Sequence, residues 1–317
     1  MTDMAKKLIV VAGPTASGKT ALAIALAQEL GGEVVSADSM QIYRGMDIGT
    51  AKASPDERAA APHHMLDVAA PEEEYSVARY VEEAAACCED ILARGRVPIL
   101  AGGTGLYIDS LLSGRDFADR AEDRALRDAL GAQYDAEGGA AMLERLARVD
   151  PARAAKLAPG DKRRIVRALE VYELTGETIS AHDARTRALP PRYESARIVL
   201  SYARRADLYA RIDARVDAML SRGLFDEVAS LLARGVSGEC TAMQAIGYKE
   251  AVAALRGEIG RDEAAALIKQ NSRRYAKRQL TWFRRWEDAL FIQWDAQPDF
   301  EYGRQLSTDF IRRRGIS

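Results

Sequence analysis

The sequence predicts an α/β protein in which helices flank a parallel β-sheet and an all-helical domain interrupts the chain. Three observations predict this fold class: apolar, β-branched runs alternate with helix-period stretches, a glycine-rich loop follows the first run, and strand character is lost over a long middle segment. Alternating strand and helix signals are typical of a parallel sheet covered by helices. The apolar runs are residues 8–12, 33–37, 97–101, 197–201 and 290–294.

The first run leads into a glycine-rich loop that matches the pattern G-x-x-x-x-G-K-S/T. Its glycines permit a tight turn whose backbone N–H groups surround a phosphate, its lysine supplies a positive charge, and its threonine hydroxyl is a ligand for phosphate-bound Mg²⁺. We therefore expect a P-loop NTPase-like core with a phosphate site, against the alternative of an ordinary glycine-rich turn. The loop consists of Gly13, Pro14, Thr15, Ala16, Ser17, Gly18, Lys19 and Thr20.

Polar residues follow closely on three of the apolar runs: Thr15, Asp38 and Thr104. Ligands of open parallel sheets bind beyond the carboxyl ends of the strands. We therefore expect these three side chains on one rim of the sheet.

Strand character disappears between about residues 115 and 192, where alanine, arginine and glutamate dominate segments of helical period. We predict an inserted helical domain at residues 116–192, with residues 1–115 and 193–317 forming the core. The alternative is that these helices pack directly on the sheet.

Composition limits the possible classes of protein. The 317 residues are 48% hydrophobic and 29% charged, as in folded soluble chains, and a net charge of −2 confines nucleic-acid binding to local basic patches. Three cysteines without paired spacing fit a reducing compartment, and we expect a cytoplasmic protein with no secretory signal or membrane span. His63 and His64 are neighbours without a further clustered ligand, so we expect no metal site there.

The second candidate site is the polar segment 38–52, which follows the second apolar run. Asp38, at a strand end near the phosphate loop, is either an indirect Mg²⁺ ligand or a general base. Gln41 carries an amide of the kind that reads an adenine edge, and Arg44 and Lys52 are candidate phosphate ligands. A polar loop after a strand is also compatible with no function.

Three glycines surround Thr104 after the third apolar run: Gly102, Gly103 and Gly105. They permit the backbone to approach a ligand closely, although a tight strand-to-helix turn has the same composition.

Two segments carry concentrated positive charge. Residues 162–167 begin a helix for which Asp161 is the expected N-cap, and basic residues in the first turn oppose the helix dipole and so call for an anionic partner. Residues 273–286 interleave Arg and Lys with aromatic residues, which predicts RNA contacts with stacking surfaces or, alternatively, a solvated face with core aromatics.

Arg211 and Arg215 lie four residues apart and share a helix face. They are candidate anion ligands, unless they pair with Asp207 and Asp213.

Together these residues resemble tRNA dimethylallyltransferases, also called tRNA isopentenyltransferases, over essentially the whole chain. The resemblance implies transfer of a dimethylallyl group from dimethylallyl diphosphate to N6 of the adenosine directly 3′ of the anticodon, with Mg²⁺ and release of diphosphate. It implies the tRNA anticodon stem-loop as partner, and we expect a monomer. The motifs that carry it are residues 13–20, 38–52, 61–64, 102–104, 164–170, 245–249 and 276–279.

The same resemblance implies roles for individual residues. The phosphate loop holds the donor diphosphate with Thr15 close to it, Thr20 contacts Mg²⁺ through that diphosphate, Asp38 is the base for the adenine amine, and Arg215 assists the leaving group. Residues implied to contact tRNA are Asp38, Ser39, Met40, Gln41, Thr104, Lys162, Arg163, Arg164, Ile165, Val166, Gln244, Ala245, Ile246, Gly247, Tyr248, Lys249, Lys277, Arg278, Gln279 and Arg284.

Two other functions share the phosphate loop. A phosphate-loop kinase would use Asp38 as metal ligand or base, but gives no role to the later motifs. A nucleotide-switched RNA-binding protein would need no polar loop at residues 38–41. Ala53 and His64 depart from the residues expected in the family, which puts only the local loop shape in question.

Overall fold

The computed structural model of the protein describes residues 6–113 and 123–316. The described strands form one six-stranded sheet in the order β3-β2-β4-β1-β5-β6, with every neighbouring pair parallel. The predicted parallel sheet flanked by helices is confirmed. The strands are β1 (Lys7–Ala12), β2 (Glu33–Ser36), β3 (His63–His64), β4 (Pro98–Gly102), β5 (Glu194–Tyr202) and β6 (Leu290–Trp294).

The described residues divide into two compact units, one with residues 6–112 and 193–316 and the other with the described residues of 113–192. The predicted boundary at residues 115 and 116 lies outside the described residues, and the assignment of functions to the two domains stays a prediction. In the first unit the helices are α1 (Lys19–Leu30), α2 (Pro55–Ala60), α3 (Val77–Ala93), α4 (Gly105–Leu112), α10 (Arg205–Ser221), α11 (Leu224–Ala233), α12 (Tyr248–Leu255), α13 (Arg261–Phe283) and α14 (Phe300–Arg313).

The core of the first unit surrounds the central strands. Residues 8–12 of β1 are fully buried, as expected for a strand with a neighbour on each side and helices on each face. Gly31 ends α1 in the left-handed conformation at φ 64°, which glycine adopts without steric cost. The chain therefore returns from α1 directly into β2.

The second unit is all-helical in its described residues and has its own apolar core, which includes Leu130, Leu146 and Ile165. Its helices are α5 (Arg124–Glu137), α6 (Gly139–Val149), α7 (Pro151–Ala154), α8 (Lys162–Thr175) and α9 (Ile179–Arg187). Asp161 occupies the N-cap position of α8, as expected, but its carboxylate accepts from the backbone N–H of Ala158 rather than from the helix. The first turn of α8 thus carries exposed positive charge without an acidic cap bond.

No helix among the described residues is both long and apolar enough to cross a bilayer.

Candidate active site

The phosphate loop lies between β1 and α1 and is preformed. A Cβ at Gly13 would lie 2.5 Å from the carbonyl oxygen of Leu200 on β5, and Gly18 holds a left-handed φ of 88° at the start of α1. Both positions therefore require glycine. The ammonium group of Lys19 donates to the carbonyl of Pro14 at 2.7 Å, which places this cation inside the loop.

Lys19 and Arg215 bring two positive charges to the same cavity. The pKa of Lys19 is lowered to about 7, chiefly by burial and next by the charge of Arg215, while Asp38 acts in the opposite direction. Burial also lowers the pKa of Arg215, whose Nε is buried without a hydrogen-bond partner among the described residues. Neither cation forms a salt bridge with a described residue, and two desolvated positive charges of this kind favour the binding of an anion.

The alternative that Arg211 and Arg215 pair with Asp207 and Asp213 is wrong. Asp207 binds Arg204 at 2.8 Å, and Asp213 binds Arg273 on α13 at 2.5 Å. The acids of α10 are thus already paired, which leaves Arg215 available to a ligand.

The cavity beside the phosphate loop has a volume of about 660 Å³, within the usual range for small-molecule sites. It is lined by Thr15, Lys19, Asp38 and Arg215. Its walls also include apolar side chains from the segment after β2, from α10 and α13, and from the segment before α12: Met40, Ile212, Val216, Met219, Ile246 and Ile268. The site therefore combines a cationic end with apolar surface.

Asp38 follows β2, one strand away from β1 in the sheet because β4 lies between them. Its Oδ1 accepts from the backbone N–H of Met40 at 2.9 Å, and the N–H of Ser39 donates to Thr104 Oγ1 at 3.1 Å. The turns after β2 and β4 are thereby joined next to the carboxylate, which lines the cavity. A held carboxylate at this place suits proton acceptance from a bound substrate.

The loop supplies oxygen ligands suited to Mg²⁺. Mg²⁺ in phosphate sites keeps several waters and takes few protein oxygens, the remainder coming from the phosphates. Thr20 carries a hydroxyl in the first turn of α1 and lines the cavity. This residue fits a Mg²⁺ ion that takes most of its oxygen ligands from a diphosphate and water.

Three candidate ligands in the segment 38–52 have partners within the protein. The ammonium group of Lys52 is buried and binds Asp47 at 2.6 Å and Asp67 at 2.7 Å. The amide of Gln41 donates to the carbonyls of residues 50 and 51, and the exposed Arg44 pairs with Glu73 at 3.5 Å. These bonds hold the shape of the loop, while Gln41 and Lys52 also line the cavity.

The glycines around Thr104 bring the backbone close to the protein rather than to a ligand. A Cβ at Gly102 would collide with the carbonyl of Ala37, one at Gly103 with the amide of Gln279, and one at Gly105 with the ring of Trp282. Helix α13 therefore packs directly on this turn.

Several residues predicted to contact tRNA are buried. Ile165, Val166, Tyr248 and Gln279 are 0%, 5%, 0% and 5% exposed, so their side chains are not available to a macromolecule in this conformation. Tyr248 donates instead to Glu227 at 2.6 Å. The side chains of Ile165 and Val166 on α8 belong to the core of the second unit.

Three aromatic residues of the segment 273–286 have partners within the protein, whereas the fourth, Tyr275, lines the cavity. Trp282 and Trp286 both donate to Asp109, at 2.7 and 2.9 Å, and Phe283 is fully buried. The interpretation of core aromatics is therefore correct for these three, whereas the cations between them are on the surface. The exposed predicted contacts are Arg163, Arg164, Gln244, Lys249, Lys277, Arg278 and Arg284.

The cavity also contains residues that the sequence analysis did not assign to it, including Glu57, Arg222 and Tyr275. Arg222 lies seven residues after Arg215, and this helical spacing is a signal that could have identified it. The local sequence of Glu57 carries no identifying signal, whereas Tyr275 belongs to the segment 273–286, whose aromatic residues were expected to stack against RNA.

Two family models match the chain: IPP transferase over residues 41–286 and isopentenyl transferase over residues 6–67. A tRNA dimethylallyltransferase of Symbiobacterium thermophilum is 52% identical, covering 88% of this chain and 86% of the relative. That of Geobacillus thermodenitrificans is 49% identical, covering 94% and 93%.

Solved structures are also similar. The tRNA isopentenylpyrophosphate transferase of Bacillus halodurans superposes with a TM-score of 0.72 at 39% identity, covering 98% of both chains. A eukaryotic dimethylallyltransferase acting on tRNA gives a TM-score of 0.82 at 32% identity, covering 98% of this chain and 81% of the other.

Proposed function

This chain belongs to the IPP transferase family, and from that premise we propose that it transfers a dimethylallyl group from dimethylallyl diphosphate to N6 of the adenosine directly 3′ of the anticodon in tRNAs, releasing diphosphate. The resemblance drawn from its motifs is confirmed by the relatives, which are tRNA dimethylallyltransferases. It is accordingly a tRNA-modifying prenyltransferase.

One observation carries the assignment of the donor site: Lys19 and Arg215, two buried cations that form no salt bridge with any described residue, share a cavity with the carboxylate of Asp38. A diphosphate satisfies the cations, and an amine that must lose a proton satisfies the carboxylate. The apolar walls suit a short isoprenoid chain between them.

The proposed reaction uses these groups in one displacement. The N6 lone pair of adenine attacks C1 of the dimethylallyl group, the C1–O bond breaks, and the electron pair leaves with the diphosphate. Lys19, Arg215 and the backbone N–H groups of the loop meet the growing negative charge. Thr20 would hold a Mg²⁺ ion that neutralises diphosphate charge. Asp38 accepts the N6 proton, which becomes acidic as the new bond forms.

We propose that the anticodon stem-loop binds to the exposed cations of α8 and α13, namely Arg163, Arg164, Lys277, Arg278 and Arg284. Their charge suits the RNA backbone, and the target base must leave its stack to reach the cavity, which is easiest in a loop. The protein is proposed to act as a monomer. It is proposed to act in the cytoplasm, because three cysteines without paired spacing suit a reducing compartment.

The test supplies the purified chain with total tRNA and either isoprenoid-labelled dimethylallyl diphosphate or γ-labelled ATP, in the presence of Mg²⁺. We expect label from the first donor in tRNA, at a single adenosine beside the anticodon. Transfer of the ATP label to any acceptor, with none from dimethylallyl diphosphate, would identify a kinase. Nucleotide hydrolysis without any transfer would identify a switch protein.

A further inference from the structure

Gln279 lies in the basic part of α13, but its side chain is directed to the interior and is 5% exposed. Its Oε1 accepts from the backbone N–H of Thr15 at 3.0 Å, and its Nε2 donates to the carbonyl of Gly103 at 2.9 Å. A single amide thus uses its acceptor and its donor on the backbones of two different loops. An apolar side chain of equal volume could make neither bond.

The two loops lie on opposite sides of the proposed reaction. Thr15 belongs to the phosphate loop, which binds the donor. Gly103 precedes Thr104, whose hydroxyl accepts from the N–H of Ser39, the residue after Asp38. Gln279 therefore connects the donor side to the base side through one side chain.

The backbone beside Thr15 needs such support. Ala16 adopts a φ of 64°, in the left-handed region that residues with a Cβ occupy only where their surroundings enforce it. On the other loop, the close approach of Gln279 leaves no room for a Cβ at Gly103. Both loops are thus shaped around this one amide.

We infer that Gln279 is a positioning residue, which aligns the phosphate loop with Asp38 and is not itself a tRNA contact. The inference rests on the proposed function, because alignment matters only if donor and base act in one reaction. An error of about 1 Å between reacting groups is enough to cost about 10²-fold in rate.

The test measures single-turnover transfer at saturating tRNA and donor, the tRNA KM, and the thermal midpoint of the wild-type chain and of Gln279→Met. We expect the single-turnover rate to fall by about 10- to 100-fold, with the tRNA KM changed by less than about threefold. Gly103→Ala should also lower the single-turnover rate and leave the tRNA KM nearly unchanged, because the added Cβ displaces the Gln279 amide. Gln305→Met is the matched control: among the described residues this exposed glutamine bonds Glu301 on its own helix, and its rate should equal that of wild type.

A Gln279→Met rate within about threefold of wild type would overturn the inference. A raised tRNA KM with an unchanged rate would also do so, because that result describes a tRNA contact. If Gln279→Met does not fold, Gln279→Glu replaces it, since the carboxylate still accepts from Thr15 but repels the Gly103 carbonyl. If neither variant folds, Gln279 is structural and the inference fails. A wild-type chain that transfers no dimethylallyl group contradicts the proposed function instead.

Discussion

Lys19 and Arg215 line one cavity, where burial and the neighbouring guanidinium together lower the pKa of the Lys19 ammonium group to about 7. The ligand-free site is therefore short of positive charge above neutral pH. A bound diphosphate reverses this shift, because it stabilises the protonated amine. Donor binding and protonation are thus linked.

The first prediction follows from this linkage. At pH 8, above the lowered pKa of Lys19, its ammonium group is partly deprotonated in the free protein and charged in the complex, so binding of dimethylallyl diphosphate without tRNA should take up a net fraction of one proton. Donor affinity should accordingly fall as pH rises above about 7. Calorimetry in buffers of different ionisation enthalpy measures the uptake. Lys19→Arg, which stays protonated, should lose it, and a buffer-independent enthalpy for the wild-type chain would contradict the assignment.

Arg215 should contribute to activity at the expense of stability. Arg215→Met removes a cation that meets the leaving diphosphate, so the rate of transfer should fall by about 10²- to 10³-fold. The same change removes an unpaired, desolvated charge and should raise the thermal midpoint. Arg205→Met, at an exposed position at the start of the same helix, should leave the midpoint unchanged. A lowered midpoint in Arg215→Met would show that the guanidinium is satisfied within the protein.

Asp38 should act mainly in the transition state. Asp38→Ala should lower kcat by about 10²- to 10⁴-fold with a nearly unchanged donor Kd, and Asp38→Asn should be almost as slow. The measurement is the single-turnover rate and donor Kd of Asp38→Asn across a Mg²⁺ titration. Near wild-type rates at saturating Mg²⁺ would assign Asp38 to the metal and not to the proton.

The basic surfaces should contribute to tRNA binding and not to donor binding. Replacing Arg163 and Arg164 by Glu, or Lys277 and Arg278 by Glu, should raise the tRNA KM and flatten its salt dependence, because fewer counterions are released on binding. The donor Kd serves as the internal reference. The same double change at Arg312 and Arg313, exposed on α14, should have no effect on tRNA. Equal tRNA affinity in all three double variants would exclude both surfaces.

Tyr248 should matter for stability and not for tRNA. Glu227 accepts its hydroxyl and the backbone N–H groups of Asp47, Ile48 and Gly49, so Tyr248→Phe removes one of four bonds. The free energy of unfolding should fall by about 1 kcal/mol with an unchanged tRNA KM. Chemical denaturation measures the first quantity, with Tyr302→Phe as an exposed control. A changed tRNA KM in Tyr248→Phe, with an unchanged free energy of unfolding, would support the predicted contact between Tyr248 and tRNA.

Features whose chemistry is local were determined by the sequence. The phosphate loop, the strand before it, the helix after it and the glycine that ends that helix each depend on a few adjacent residues, whose conformational preferences are sufficient to specify them. The position of Asp38 at a strand end is of the same kind. The fold class and the membership in the family both follow from such motifs taken in order.

Pairing and burial were decided only by the tertiary structure. Lys19 and Lys52 are both lysines in polar loops, yet Lys52 is neutralised by Asp47 and Asp67, while Lys19 faces Arg215 across the cavity. Arg215 stays unpaired because Asp213 is bound by Arg273, 60 residues further along the chain. Gln279 and Tyr248 carry polar groups that suit RNA, but packing directs them inward. Which partner a polar group finds depends on segments distant in sequence, since desolvation and distance set its energy, and neither is a local property of the chain.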